Sequence, residues 1–177
     1  MRKLKLDELN RLSVEAYQTV PKHPVVVVLD NLRSMVNVGA VFRTADAFRV
    51  AKIWLAGITP HPPHREIHKT ALGAEESVAW EAHPDAGILA QQLREEGYRV
   101  VCVEQTENSM LLPDYQPFIG EKIALFMGNE VEGVSESVLA QCDLALEIPQ
   151  HGTKHSLNVS VAAGIVLYAL LAGQRPG

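Results

Sequence analysis

Polar residues whose side chains could take part in catalysis or binding occur in three short motifs, and each motif follows an apolar stretch. Asn37, Gly39 and Arg43 come after PVVVVLD, residues 127–133 (MGNEVEG) come after IALF, and residues 148–158 (IPQHGTKHSLN) come after LALE. An arginine can hold a phosphate in a bidentate contact. Glycine and asparagine in a turn let backbone N–H groups approach a ligand closely. Because ligands sit beyond the carboxyl ends of strands in open α/β sheets, the motifs predict one shared site.

The first motif lies on a helix that we predict over residues 37–48, with Asn37 as its N-cap. Its apolar residues form a seam that would face a sheet: Val38, Val41, Ala45 and Phe48. Arg43 would project away from the seam, and Gly39 one turn earlier would leave room for a phosphate or ribose. The alternative is an exposed Arg43 that pairs with Asp46, which would contribute roughly a few tenths of a kcal/mol.

The second and third motifs each have a structural alternative. The segment MGNEVEG could bring backbone N–H groups to a ligand, or it could be a plain turn from a strand to a helix. In the third motif we expect Ser156 to cap the last helix, so that the free N–H groups of the first turn face the site. Leu157 would pack there, and Asn158 would hold the turn in place.

Residues 57–74 are predicted to form a Pro- and His-rich loop. His64 and His68 are four positions apart and could bind zinc, but no H-E-x-x-H motif accompanies them, so we predict no metal. Arg65 and Lys69 instead suit a solvated loop or a patch that contacts RNA phosphates.

Composition limits the class of protein. The chain has 177 residues, 47% hydrophobic and 21% charged, with a net charge of −5, which is typical of a globular domain. No G-x-G-x-x-G follows the first predicted strand and no P-loop motif occurs, which excludes the common dehydrogenases and P-loop enzymes. No apolar run approaches the ~20 residues needed to span a membrane. Cys102 and Cys142 are expected to be buried, reduced thiols, and the protein is expected to be cytoplasmic.

Strands alternate with helices along the chain, which predicts an α/β fold with a mostly parallel sheet flanked by helices. The predicted strands cover residues 24–30, 51–57, 77–81, 98–105, 121–130 and 142–150. Helices are predicted over residues 37–48, 84–97 and 135–140 and after residue 158. Leucines at positions 4, 6, 9 and 12, with Tyr17, indicate a further helix that ends before Pro21. We therefore expect a short helical extension, residues 1–20, and one domain, residues 21–177.

In this order, N-x-G-x-x-x-R, FMGNEVEGVSE and IPQHGTKHSLNVSVAAGI resemble the three motifs of the SpoU (TrmH-type) RNA ribose 2′-O-methyltransferases of the SPOUT superfamily. The segment HKTALGAEESVAW also resembles this family, and the similarity runs from about Pro24 to Leu171. The resemblance implies a C-terminal trefoil knot, S-adenosylmethionine as cofactor, a tRNA or rRNA substrate, and a homodimer whose active site lies near the subunit interface.

The resemblance also implies roles for individual residues. The catalytic positions would be Arg43 and Asn37. The positions that bind or shape the cofactor site would be Gly128, Ile148, Leu157, Ser156, Asn129, Glu104 and Gln105. The positions on the RNA side would be Glu130 and Asn158. Apart from the resemblance, the basic residues Arg33, Arg65 and Lys69 are expected to contact the RNA.

Two other functions remain compatible with the sequence. A non-catalytic RNA-binding or assembly factor could use the same fold, although a complete set of Arg43, Asn37 and Glu130 argues against it. A SPOUT enzyme could also methylate a base, although the N-x-G-x-x-x-R motif favours ribose.

Overall fold

Seven parallel strands form one sheet in the computed structural model, which describes residues 1–5 and 7–173. The strands are β1 (His23–Asp30), β2 (Val50–Ala56), β3 (Trp80–His83), β4 (Arg99–Val103), β5 (Met110–Leu111), β6 (Ile123–Met127) and β7 (Leu144–Glu147). Their order across the sheet is β3-β2-β1-β6-β4-β7-β5. Since β6 lies between β1 and β4, the carboxyl ends of strands that are distant in sequence meet at one edge.

The helices of the described residues cover both faces of this sheet. They are α1 (Val14–Thr19), α2 (Met35–Ala47), α3 (Arg65–Ala71), α4 (Ala74–Ser77), α5 (Ala86–Glu95), α6 (Glu136–Leu139) and α7 (Val159–Leu171). Two short 3₁₀ turns span Asp7–Leu9 and Leu112–Asp114. The predicted α/β class with a mostly parallel sheet is confirmed.

Strand β1 lies at the centre of two hydrophobic clusters. Val25 and Val27 pack with α2, α3 and α7 on one face, whereas Val26 and Val28 pack with α5 and α6 on the other. All four valines are at most 3% exposed, which explains why this strand is continuously apolar rather than alternating.

Helix α2 begins two residues earlier than the sequence indicated. The Ser34 hydroxyl oxygen accepts a hydrogen bond from the Asn37 N–H at 3.3 Å, so Ser34 is the N-cap. The prediction of Asn37 as the N-cap is therefore wrong; Asn37 is the third helical residue and is 9% exposed. The predicted seam is confirmed at Val38, Val41 and Ala45, which are fully buried, whereas Phe48 ends the helix and is partly buried.

Gly39 serves helix packing. A Cβ atom added at Gly39 would lie 2.0 Å from Thr70 Oγ1 and 2.5 Å from the Ile67 carbonyl oxygen, both on α3. Gly39 thus lets α3 cross α2 at close range, and the expectation that it leaves room for a phosphate or ribose is wrong.

The predicted loop over residues 57–74 contains α3 and the first residue of α4. His64 caps α3, because its Nδ1 accepts a hydrogen bond from the Glu66 N–H at 3.2 Å. Pro and His dominate the composition of this stretch and hide the short helical period, so the helix was missed.

Smaller differences occur at both ends of the fold. The N-terminal helix covers only Val14–Thr19; it ends before Pro21 as predicted, but Leu4, Leu9 and Leu12 are exposed and Leu6 lies outside the described residues. Cys102 is buried whereas Cys142 is only half-buried, and both are free thiols. Within the described part of the chain, no helix has the length and apolar character to cross a membrane.

Candidate functional site

A cavity of about 520 Å³ opens at the carboxyl ends of β4, β6 and β7. This first cavity is bordered by the segments that follow the three strands and by the start of α7: residues 103–105, 127–133, 146–148, 150, 155–159 and 162. The second and third sequence motifs therefore meet at one edge of the sheet, as their positions after strands predicted.

The turn between Gly128 and Gly133 forms one wall of the first cavity. Asn129 and Gly133 exchange two backbone hydrogen bonds, at 2.8 and 2.9 Å, which close the turn. The Asn129 side chain, 7% exposed, accepts hydrogen bonds from the N–H groups of Val131 at 2.8 Å and Glu132 at 3.2 Å. Its amide nitrogen donates to the Asn31 carbonyl at 2.6 Å, which attaches the turn to the end of β1.

Close packing explains the glycines of this turn. A Cβ atom at Gly128 would lie 2.2 Å from the Gly133 carbonyl carbon and 2.2 Å from the Val134 nitrogen. Gly133 has a φ of +73°, and a Cβ atom there would lie 2.2 Å from Glu104 Oε2. Neither position can take a larger side chain without moving the cavity wall.

Two carboxylates at strand ends hold the segment that follows the turn. Glu104, just after β4, accepts hydrogen bonds from the Val134 N–H at 3.0 Å and the Gln105 N–H at 2.9 Å. Asp30, the last residue of β1, is fully buried and accepts from the Ser135 N–H at 2.8 Å. Glu104 and Gln105 both border the first cavity.

A hydrogen-bonded chain connects one residue from each of the three motifs. Glu130 Oε1 accepts from Asn37 Nδ2 at 3.0 Å, and Asn37 Oδ1 accepts from Asn158 Nδ2 at 3.1 Å. We call these three residues the motif network. The Glu130 carboxylate also accepts from the N–H groups of Arg33 and Ser34, both at 3.3 Å. The network therefore fixes the starts of α2 and α7 against the turn after β6.

The environment of Glu130 favours its ionised form. Partial burial by itself would raise the pKa of Glu130. The hydrogen bonds from Asn37 and from the backbone N–H groups at the start of α2 outweigh that effect and hold the pKa below its ordinary value of 4.5. A carboxylate at this position also interacts favourably with the positive end of the helix dipole.

Asn158 caps α7. Its Oδ1 accepts hydrogen bonds from the Ser160 N–H at 2.9 Å, the Ser160 hydroxyl at 2.6 Å and the Val161 N–H at 3.4 Å. The prediction that Ser156 is the N-cap is therefore wrong, because Asn158 stands directly before the first helical residue and reaches these donors. Ser156 and Leu157 are exposed at the border of the first cavity, so Leu157 is not packed away as expected.

Arg43 does not border the first cavity. It is exposed on α2, about 9 Å along the helix axis from Asn37, and among the described residues it has no hydrogen bond or ion pair. Asp46 accepts a short hydrogen bond from the Ser77 hydroxyl instead, so the alternative pairing of Arg43 with Asp46 does not form.

The other basic residues predicted to contact RNA lie at the surface. Arg33 is exposed beside the motif network, to which its backbone N–H contributes. Arg65 and Lys69 are exposed on α3, and Arg65 borders a separate cavity. In the part of the chain that the structure describes, no cluster of three or more His, Cys, Asp or Glu side chains is arranged to hold a metal ion.

Several supporting residues were missed from the sequence. Asn31 adopts a φ of 55°, and its Oδ1 accepts from the Ile58 N–H at 3.1 Å. Glu147, at the end of β7, borders the first cavity and accepts from the Ser109 hydroxyl at 2.7 Å. The Asp30-Asn31 pair directly after the apolar run VVVVL indicated such a turn, because asparagine tolerates the left-handed conformation that turns of this kind need.

The side chains around the first cavity are acidic. Glu104, Glu130, Glu132 and Glu147 border it, and none of its described lining residues is a lysine or arginine. Such a cavity favours a ligand with positive charge and disfavours a phosphate.

The fold and the cavity define the protein first as a parallel α/β protein with an acidic cavity at the strand ends, bordered on one side by the segment that leads into the last helix. The chain belongs to the SpoU rRNA Methylase family, whose model matches residues 24–168. The family resemblance drawn from the motifs is thereby confirmed.

Relatives of known name support this membership. The chain is 29% identical over 153 residues to 23S rRNA (guanosine-2'-O-)-methyltransferase RlmB of Neisseria meningitidis, covering 86% of this chain and 60% of the relative. It is 32% identical over 162 residues to the tRNA (guanosine(18)-2'-O)-methyltransferase of Thermus thermophilus, covering 91% and 81%. The chain thus spans less than two thirds of the Neisseria protein.

A solved structure shares the fold. The crystal structure of an AdoMet-bound rRNA methyltransferase from Sinorhizobium meliloti matches with a TM-score of 0.76 at 27% identity, over 86% of this chain and 58% of that one. The sheet and its flanking helices are therefore those of a SpoU methyltransferase domain.

Proposed function

We propose that this protein is an S-adenosylmethionine-dependent methyltransferase that modifies a ribose 2′-OH of tRNA or rRNA. Family membership supports the proposal, as do relatives named as guanosine 2′-O-methyltransferases of both RNA classes. The observation that carries it is the motif network, in which Asn37, Glu130 and Asn158 join all three family motifs beside the first cavity.

The first cavity suits the cofactor in charge and size. S-adenosylmethionine carries a sulfonium cation, and the cavity is bordered by four glutamates. Its volume of about 520 Å³ lies within the range of roughly 300–1,000 Å³ that ligand pockets occupy. When bound, the cofactor supplies an electrophilic methyl group.

Residues from all three strand ends would hold the cofactor. We assign backbone contacts to Gly128, Ile148 and Leu157, and we assign the shaping of the walls to Asn129, Ser156, Glu104 and Gln105. The support is that each of these residues borders the first cavity. Asn129 Oδ1 and the Glu104 carboxylate accept hydrogen bonds from backbone N–H groups in and after the turn and hold it rigid, so the wall would be preorganised.

RNA phosphates would be held outside the acidic cavity. Glu130 and Asn158 border the side of the cavity that faces α2, where the substrate ribose would enter. The exposed cations Arg33, Arg65 and Lys69 would contact the backbone of the RNA around it.

Arg43 would act on the substrate by hydrogen bonding. A guanidinium has only donors, so it would anchor the phosphate next to the target ribose and polarise the 2′-OH rather than accept its proton. Its exposed position without a partner in the described chain leaves its donors available for this contact.

A homodimer would bring Arg43 to a cavity. Val161, Ile165 and Tyr168 on α7 are 51%, 38% and 65% exposed, although the opposite face of the helix is buried. An exposed apolar stripe of this kind suits a subunit interface. The stripe lies next to α2, since the rings of Phe48 and Tyr168 are 6.3 Å apart. A second copy on this stripe would place its first cavity near Arg43, so that each Arg43 serves the cavity of the partner.

The knot, the domain boundaries and the cellular compartment are proposed from the family resemblance. The chain after β7 would be threaded into a trefoil knot, which is consistent with β6 and β7 lying between earlier strands. Residues 21–177 would form the catalytic domain and residues 1–20 an extension, of which Tyr17 packs into the core. The cytoplasm, where tRNA and rRNA act, would be the working compartment.

The test is methyl transfer from radiolabelled S-adenosylmethionine to unmodified bulk tRNA and rRNA, followed by mass spectrometry of the nucleosides. The expected product is a 2′-O-methylated nucleoside. A methylated base would contradict the ribose assignment, and RNA binding without any methyl transfer would indicate a non-catalytic RNA-binding factor.

A further inference from the structure

A second cavity, of about 550 Å³, lies beside α3 and shares no lining residue with the first cavity. It is formed by the Pro62-Pro63 segment, by one side of α3, by Glu75 and Glu76, and by Trp80 at the start of β3. The three family motifs contribute nothing to this cavity, although His68, Glu75, Glu76 and Trp80 belong to the segment HKTALGAEESVAW that also resembles the family.

Glu75 is the most unusual of these side chains. It is only 9% exposed, its Oε1 contacts His68 Nδ1, and its Oε2 is buried without a hydrogen-bond partner in the described structure. An unpaired buried carboxylate oxygen is unfavourable, and an N–H donor would remove that penalty. The His68 side chain is 67% exposed and can move away, which would free the second oxygen as well.

The other walls suit a flat ring. Trp80 borders the cavity and stacks on His61 with ring centroids 6.0 Å apart and planes 17° apart. Ile67, which is fully buried, and the two prolines add apolar surface. An aromatic wall of this kind binds nucleobases by stacking.

Positive charge lies at the entrance. Arg65 borders the cavity and Lys69 follows one turn later on α3; both are exposed and, among the described residues, neither has an ion-pair partner. The second cavity therefore combines an acidic and aromatic interior with cations outside it. A nucleotide has the complementary polarity, with N–H donors on its base and a phosphate at its other end.

We propose that the second cavity binds an unpaired guanosine nucleotide, outside the site of methyl transfer. Guanine carries adjacent N1–H and N2–H donors on its Watson–Crick edge, which match the two oxygens of Glu75 once His68 has moved away and the buried carboxylate has turned towards the cavity. Adenine, cytosine and uracil lack this pair of donors. Assigning RNA as the source of the guanosine rests on the proposed function; the cavity chemistry itself does not.

Tryptophan fluorescence tests the proposal directly. The variant Trp54→Phe leaves Trp80 as the only tryptophan, and it would be titrated with GMP, AMP, CMP and UMP. GMP should give saturable quenching with an affinity at least about tenfold higher than that of the other three. In the same background Glu75→Gln should weaken GMP binding by about tenfold or more, since one acceptor becomes a donor. Glu95→Gln on α5, on the opposite face of the sheet, should leave GMP binding unchanged.

Equal quenching by all four nucleotides, absence of saturation, or an unchanged affinity in Glu75→Gln would overturn the proposal. Substrate RNA with an unpaired guanosine should displace GMP, and failure to do so would overturn the assignment to RNA. Binding of S-adenosylmethionine and methyl transfer by the wild-type protein are measured separately. Their absence would contradict the proposed function, whereas loss of GMP binding alone would contradict only the second site.

Discussion

Asn37 and Arg43 lie six residues apart on α2, and both belong to the first family motif, yet their surroundings are opposite. Asn37 is 9% exposed and uses its side-chain amide to join Glu130 to Asn158. Arg43 is exposed and has no partner among the described residues. The buried residue acts within the chain by fixing geometry. The exposed residue has no partner within the described chain, and under the proposed function it would act on RNA at the site of a second subunit.

Removing the exposed cation should have the largest effect on activity. Arg43→Ala is expected to lower the rate of methyl transfer by about 10²–10³-fold, because a donor to the reacting region is lost. Binding of S-adenosylmethionine, measured by calorimetry, should stay within about twofold, since Arg43 does not border the first cavity. Arg11→Ala, another exposed arginine, is the control and should keep its rate. Full turnover in Arg43→Ala would contradict the assigned role.

Enlarging Gly128 should damage the cavity wall itself. Gly128→Val is expected to lower the free energy of unfolding by about 1–3 kcal/mol through overpacking, because its Cβ would lie 2.2 Å from backbone atoms of the same turn. The affinity for S-adenosylmethionine should fall at least about tenfold. A Cβ atom at Gly152 meets nothing within 4 Å, so the matched variant Gly152→Val should bind S-adenosylmethionine normally. Normal binding by Gly128→Val would show that the turn does not hold the cofactor.

Breaking the motif network should mainly reduce stability. Asn37→Ala leaves Glu130 and Asn158 without one partner each, and the expected loss is about 1–3 kcal/mol in urea unfolding. Asn108→Ala, at an exposed asparagine, should unfold like the wild type. If both variants unfold at the same urea concentration, the network does not contribute to stability.

The smallest effect concerns the charge of Glu130. Its pKa is lowered in the folded protein, so ionised Glu130 contributes stability above its ordinary pKa of 4.5 and loses it as the pH falls through the folded value. Glu130→Gln should therefore be less stable than the wild type at pH 7. We expect a difference of only about 1 kcal/mol, because water screens the interactions of this partly exposed carboxylate. The difference should shrink towards pH 3, as urea unfolding at both pH values would measure. Glu132→Gln is the exposed control. If the stability difference between Glu130→Gln and the wild type were the same at both pH values, the lowered pKa of Glu130 would be contradicted.

The same contrast between buried and exposed residues explains how much the sequence could reveal. The four valines of β1 identified a doubly buried strand because burial on both faces leaves a continuous apolar run. The polar motifs after β6 and β7 meet at one edge of the sheet as predicted, since parallel strands bring their carboxyl ends together, whereas Asn37, Gly39 and Arg43 of the first motif do not border the first cavity.

The predictions from sequence that proved wrong concerned features that depend on tertiary contacts. Ser34 and Asn158 displaced the expected caps because only the folded backbone decides which side chain reaches the free N–H groups. Gly39 was interpreted as space for a ligand, but α3 occupies that space, and α3 itself was hidden in a Pro- and His-rich stretch. Strand β5 has two residues and no pattern of its own; pairing with β7 creates it.

A complementation experiment tests most directly whether Arg43 completes a site that it does not border. Arg43→Ala would be co-expressed with Ile148→Arg, which places a cation in the first cavity while leaving Arg43 intact. Each variant alone should be nearly inactive in methyl transfer to RNA. Mixed dimers, isolated through two different tags, should regain about half of the wild-type rate per dimer, because one intact cavity faces one intact Arg43. Mixed dimers that are no more active than either parent would contradict the account.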